Sequence, residues 1–241
     1  MRIKRMIQRA LRTAGYDIVF YRPRYHPLCT RKWLLDTYGI NVVLDVGGNI
    51  GQFSEKLREI GYRGKIVSFE PLPEAFGIIN SKAMKDRWGW EVHDFALGAR
   101  QERATIHVAG NSYSSSILKM LPRHEQLAPE SRYVGDVEIQ IKTLDSVFLP
   151  EWRARRDVFL KIDTQGFEQQ VIEGAKESLP FVDTIQLEMS LTPLYEGETL
   201  FEDMYTLLKG KGYRLVAIEP GSADRETGEM LQLDAVFHRF A

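Results

Sequence analysis

A single cysteine, Cys29, rules out an internal disulfide and a thiolate metal cluster, and it fits a reducing compartment. No apolar stretch reaches the roughly 18 to 20 residues that a membrane span needs, and the start lacks the apolar core of a secretory signal. A soluble, cytoplasmic protein is expected. Excess charge is also missing. The chain holds 32 Lys and Arg against 33 Asp and Glu, a formal net charge of -1, which argues against a general nucleic-acid-binding surface. Its five histidines show no ligand spacing, and a lone histidine such as His124 is seldom a general base. Repeats and low-complexity tracts are absent, so the 241 residues should fold as one domain with a small appendage.

The even charge balance hides a strongly basic start. Arg2, Lys4, Arg5, Arg9, Arg12, Arg22, Arg24, Arg31 and Lys32 face only Asp17 before Asp36 is reached. Ile3, Met6, Ile7, Ala10, Leu11 and Ala14 recur at helical spacing, with arginines filling the other side. Residues 1–39 therefore read as a basic amphipathic extension. Either its apolar face packs on the domain, which is the simpler reading, or it rests on anionic lipid. A connector rich in proline and aromatics runs from Tyr21 to Pro27, and Thr30 to Tyr38 reads as a short helix.

From residue 40 onward strand and helix patterns alternate, which implies an α/β fold with a mainly parallel sheet covered on both faces. Strands are expected near 42–46, 65–69, 91–94, 158–162, 183–188, 213–218 and 232–237. Helices are expected near 51–61, 73–86, 167–178 and 199–210. Two further β-like stretches, 104–108 and 137–142, flank a polar segment from Gly110 to Asp136. So long a connection in a compact domain is usually functional, which makes residues 104–142 a candidate lid or acceptor-recognition insertion.

The most informative segment is V-V-L-D-V-G-G-N-I-G, from Val42 to Gly51. An apolar strand ends beside Asp45, and Gly47, Gly48 and Gly51 form the kind of turn on which nucleotide-like ligands rest. A carboxylate there repels pyrophosphate but suits an ammonium or a ribose hydroxyl, so an S-adenosylmethionine-like guest is favoured. Glu70, after V-S-F, stands at the distance expected of an acid that accepts from ribose hydroxyls. The same pair also fits NAD, which keeps a nicotinamide-dependent oxidoreductase as a rival. A non-catalytic module for glycan or membrane on the same fold is a second rival.

Asp94 and Phe95 follow the third strand and could meet an adenine amino group and ring, or serve as a capping aspartate and a core phenylalanine. Lys161 interrupts the apolar strand F-L-K-I-D and needs a partner, either Asp163 or Glu188 of I-Q-L-E-M. Strand alternation puts Lys161 and Asp163 on one face at the ligand end of the sheet. These three residues are the candidate catalytic set. Asp163 and Glu188 also suit a hard divalent cation, although a metal is not the favoured reading. Ser114, Ser115 and Ser116 offer hydroxyls at the start of the insertion.

Taken together, D-V-G-G-N-I-G at 45–51, S-F-E-P at 68–71, A-L-G at 96–98, S-S-S at 114–116, K-T-L-D-S at 142–146 and L-K-I-D-T-Q-G-F-E at 160–168 resemble the FkbM family of S-adenosylmethionine-dependent methyltransferases. The resemblance implies a class I, Rossmann-like fold and O-methylation of hydroxyls on sugars or related metabolites. It further implies that Asp45, Gly47, Gly48, Asn49 and Gly51 meet the methionine part of the donor and Glu70 the ribose. Pro71, Leu72, Asp94, Phe95 and Ala96 would meet the adenine, with Ser115 and Asp163 also at the donor. Gln165 stands where family members often carry glutamate. The basic helix and the Y-R-P-R segment resemble extensions of members linked to bacterial surface polysaccharides, which implies a lipid-linked or polymeric glycan acceptor.

Overall fold

A computed structural model describes residues 2–16, 27–153 and 157–240. Ten strands and nine α-helices occur among them. The strands are β1 Val42–Val46, β2 Lys65–Phe69, β3 Trp90–His93, β4 Ala96–Leu97, β5 Glu102–Ala109, β6 Tyr133–Lys142, β7 Val158–Ile162, β8 Thr184–Ser190, β9 Arg214–Pro220 and β10 Gln232–His238. The helices are α1 Arg2–Thr13, α2 Pro27–Thr37, α3 Gln52–Glu59, α4 Pro73–Ala83, α5 Pro122–Leu127, α6 Leu144–Val147, α7 Pro150–Arg153, α8 Glu168–Glu173 and α9 Phe201–Gly210.

Seven strands form the main sheet in the order β3-β2-β1-β7-β8-β10-β9. Neighbours run parallel except β10, which is antiparallel to both β8 and β9. The apolar runs of β1 and β7 explain their central position: every residue of both is buried, as a strand covered on both faces requires. One face packs Leu44, Val46, Leu160 and Ile162 with Val171, Met204 and Leu208 of α8 and α9. The other packs Val43, Ile66 and Phe159 with Leu34 and Leu35 of α2 and Leu57 of α3. The chain reverses its direction of travel across the sheet between β1 and β7, and open sheets of this kind bind ligands at that switch point.

The insertion is a second, three-stranded sheet in the order β4-β6-β5. Strand β5 extends the expected 104–108 stretch at both ends and β6 extends the expected 137–142 stretch at its start, and the two-residue β4, too short for a periodicity signal, pairs with β6. Helix α2 starts three residues earlier than expected, with Pro27 in its first turn, where a missing N–H costs nothing. Of the expected connector from Tyr21 to Pro27, residues 21–26 lie outside the described residues, and Pro27 opens α2 instead.

Helix α1 bears out the helical spacing of the basic start, with Met6 and Ile7 72% and 49% exposed and Leu11 partly buried. No described helix is long and apolar enough to cross a membrane.

Candidate active site

The turn after β1 is built from backbone that only certain residues tolerate. Gly47 has φ +75°, and a Cβ on it would overlap the carbonyl oxygen of Asp163, just past the end of the neighbouring β7. Glycine is what allows the two parallel strand ends to close together here. The turn, the ends of β2, β7 and β8, and the 112–117 segment of the insertion enclose a cavity of about 530 Å³.

Three non-glycine residues among the described ones adopt a left-handed backbone: Asn49 (φ +46°), Ser112 (φ +58°) and Gln165 (φ +55°). All three line this cavity. Such conformations cost energy and cluster where function holds them in place. The Asn49 side chain donates to the Ser112 carbonyl at 3.2 Å, and Ser116 donates to the Gln165 carbonyl at 2.6 Å. These bonds dock the insertion onto the site.

On the β2 side, the buried Glu70 carboxylate accepts from the backbone N–H groups of Asn49 (2.8 Å) and Leu72 (2.9 Å). Burial pushes its pKa up to about 7, and those two hydrogen bonds only partly offset this. On the β7 side, Lys161 is buried, with its Nζ 3.1 Å from Asp45 and 3.4 Å from Asp163, and it donates to the Gly47 carbonyl at 3.0 Å. Burial would lower its pKa, but the two carboxylates outweigh that and hold it above the ordinary lysine value.

Glu188 opens partly onto the cavity. Burial pushes its pKa well up, and the carboxylates of Asp163 and Asp234 add to the shift. It accepts from Gln165 (2.5 Å) and from Gln232 (3.0 Å). Gln165 also donates to Asp163 (2.9 Å), while its carbonyl accepts from the buried Tyr195 hydroxyl (2.7 Å). Gln165 therefore bridges the two carboxylates and is itself held from behind.

A family model, "Methyltransferase FkbM domain", matches residues 45–215, well over half of the chain. The chain belongs to the FkbM methyltransferase family. It is 25% identical over 190 residues to the 2-O-methyltransferase NoeI of Sinorhizobium fredii, covering 74% of each chain. It is 24% identical over 224 residues to the 31-O-demethyl-FK506 methyltransferase FkbM of Streptomyces tacrolimicus, covering 85% of this chain and 84% of that one. Among solved structures, TehB of Haemophilus influenzae aligns with a TM-score of 0.48 at 9% identity, covering 88% of this chain and 62% of TehB. Family membership and the sheet order together make this a class I, Rossmann-like methyltransferase, and the oxidoreductase reading of the glycine turn is set aside.

Within this FkbM-family fold, Gly47, Gly48, Asn49, Glu70, Pro71, Leu72, Ala96, Ser115, Lys161, Asp163 and Glu188 all line the one cavity. Four residues expected at the ligand do not. Asp45 is fully buried beneath the turn, where it accepts from Ser54 and Ser68 and pairs with Lys161. Gly51 faces Trp90, which leaves no room for a Cβ there. Asp94 is exposed, and Phe95 packs against both Phe69 and His93 as a core residue.

Lys161 takes Asp45 as its nearest acidic partner, a choice made by the register that puts the two directly opposite each other on adjacent strands. Its expected alternative partner, Glu188, is held by glutamines instead. His124 is buried against the edge of the Tyr195 ring, away from the cavity lining, and burial lowers its pKa. No group of three potential metal ligands occurs among the described residues.

Arg31, Phe53, Phe167, Gln186 and Asp234 also line the cavity, and sequence reasoning missed them. Gln186 and Asp234 stand in strands that mix polar and apolar residues, so nothing local set them apart as the V-F-L-K-I run sets Lys161 apart.

Proposed function

We propose that this protein transfers a methyl group from S-adenosyl-L-methionine to a hydroxyl of a sugar, glycan or related metabolite. The observation that carries this reading is one cavity in which the glycine turn and Glu70 meet Lys161, Asp163 and Glu188.

The residues present fit the donor. Gly47 and Gly48 leave the turn without side-chain atoms, and an ionised Glu70 suits two ribose hydroxyls. Leu72, Ala96, Leu97 and Phe167 offer an apolar wall for adenine, with Pro71 and Ser115 beside it. Phe95 supports that wall from behind, and Asp45 acts through Lys161 rather than by contact. When bound, the sulfonium supplies the methyl group.

The chain's own residues then hold the acceptor oxygen in line and take its proton. Positioning of this kind contributes much of the rate. Glu188, whose environment raises its proton affinity, is the proton acceptor. Asp163 lies beside Lys161, and Gln165 orients both carboxylates. Two relatives whose names place the methyl group on oxygen support O-methylation.

Residues 40–241 form the methyl-transfer domain in this reading, with 104–142 covering the site and 1–39 as an extension. The exposed Met6 and Ile7, beside Arg9 and Arg12, suit peripheral attachment to the anionic inner face of a membrane, where a lipid-linked glycan in polysaccharide biosynthesis would be met.

Calorimetry with S-adenosylhomocysteine and NADH, followed by transfer of labelled methyl from S-adenosylmethionine to a glycan fraction, tests the reading. Binding of S-adenosylhomocysteine with label in the glycan supports it. Binding of NADH alone, or label confined to nitrogen, overturns it.

A further inference from the structure

The polar residues of the site continue across the sheet beyond those the donor and the proton transfer use. Lys161 stands opposite Gln186 on β8, Glu188 opposite Asp234 on β10, and Asp234 opposite Glu219 on β9. Gln186 is only 2% exposed, yet it lines the cavity. Its amide nitrogen donates to Asp234 at 3.1 Å, which sets the orientation of the amide and leaves the side-chain carbonyl oxygen, Oε1, with no donor.

Helix α2 brings Arg31 over the same end. Arg31 is 8% exposed, donates through Nη2 to Glu219 at 2.7 Å, and keeps a buried Nε with no acceptor. One buried acceptor and one buried donor thus stay unmet in the wall of a single cavity, a costly arrangement in a finished core. Gln186 on β8, and Arg31 through its pairing with Glu219 of β9, lie on the opposite side of β7 from β2, which leads into Glu70.

We propose that Arg31, Gln186 and Asp234 form an acceptor subsite that grips a neutral, polyhydroxylated ligand by hydroxyls other than the one methylated. The inference rests on the methyl-transfer reading above. Hydroxyls both donate and accept, so neighbouring ring hydroxyls satisfy Gln186 Oε1 and Arg31 Nε together. An anionic ligand is repelled by Asp234, Glu188 and Glu219, whereas an apolar one leaves both polar atoms buried and unpaired. The α2 segment of the N-terminal extension thereby completes the site.

The test is ligand-observed NMR on the full-length protein saturated with S-adenosylhomocysteine, using methyl glucoside, galactoside and mannoside as neutral probes and glucuronate as the anionic one. At least one neutral hexoside binds and glucuronate does not. Gln186→Leu weakens that binding at least tenfold with S-adenosylhomocysteine affinity unchanged. Arg31→Gln, on a surface helix, does the same and covers the case in which Gln186→Leu fails to fold. Loss of S-adenosylhomocysteine binding by the unaltered protein would sink the methyl-transfer reading itself. Intact donor binding with no hexoside bound, with glucuronate preferred, or with hexoside affinity unchanged in the folded variants overturns the subsite alone.

Discussion

Lys161 and Asp45 face each other in register on adjacent parallel strands, with Nζ and Oδ1 3.1 Å apart and both side chains almost fully buried. Removing one member of such a pair strands the other's charge in the core. Asp45→Asn should therefore cost about 3–5 kcal/mol of stability in urea denaturation, and the double variant Asp45→Leu with Lys161→Met should recover much of it. An Asp45→Asn protein as stable as the parent would show that Asp163 alone suffices for Lys161.

Glu70 gives a pH signature. Its buried carboxyl is raised to about 7, and in the proposed donor-binding mode it accepts from hydroxyls in the ionised form. A ligand that selects the deprotonated form binds more tightly as pH rises and levels off above the pKa of the free protein. S-adenosylhomocysteine affinity should accordingly rise about tenfold per pH unit below 7 and flatten above it. In Glu70→Gln the slope should vanish and affinity should be weak throughout.

Gly47 tests the turn. Alanine at φ +75° costs about 1–2 kcal/mol from the backbone alone, and its Cβ would overlap the Asp163 carbonyl. Gly47→Ala should melt several degrees lower and lose S-adenosylhomocysteine binding. Normal binding would mean that the strand ends can separate.

Glu188→Gln separates binding from chemistry. With the proposed proton acceptor gone, kcat should fall about 10²-fold or more while donor affinity holds. The rise of kcat with pH, set by the elevated pKa of Glu188, should disappear with it. Full turnover would move the role to Asp163. Gln165→Leu, which removes the bridge between the carboxylates, should lower kcat by less and shift that pH limb.

The amphipathic α1 predicts salt-sensitive flotation with anionic liposomes. Met6→Ser with Ile7→Ser, or charge reversal at Arg5 and Arg9, should leave the protein in the pellet fraction at physiological salt. Exclusion of the unaltered protein from liposomes at every ionic strength would end the membrane reading.

Local patterns were enough for most of the framework. The alternation of apolar runs with helical periods places seven strands within a residue or two of those observed, because burial on both faces writes itself into each segment separately. The glycine turn and Glu70 were legible for the same reason: both depend on short stretches whose chemistry is carried by adjacent residues.

What could not be read locally is which distant segments meet. Strand order and register set Asp45 under Lys161 rather than against the ligand, and they line up Gln186 and Asp234 beyond it. The left-handed turn at Gln165 folds its amide between Asp163 and Glu188, and α2 carries Arg31 to β9 from the far end of the chain. Apart from the local Gln165–Asp163 contact, each of these pairings joins residues far apart along the backbone. Periodicity says that Lys161 needs a partner, while packing of the sheet chooses Asp45.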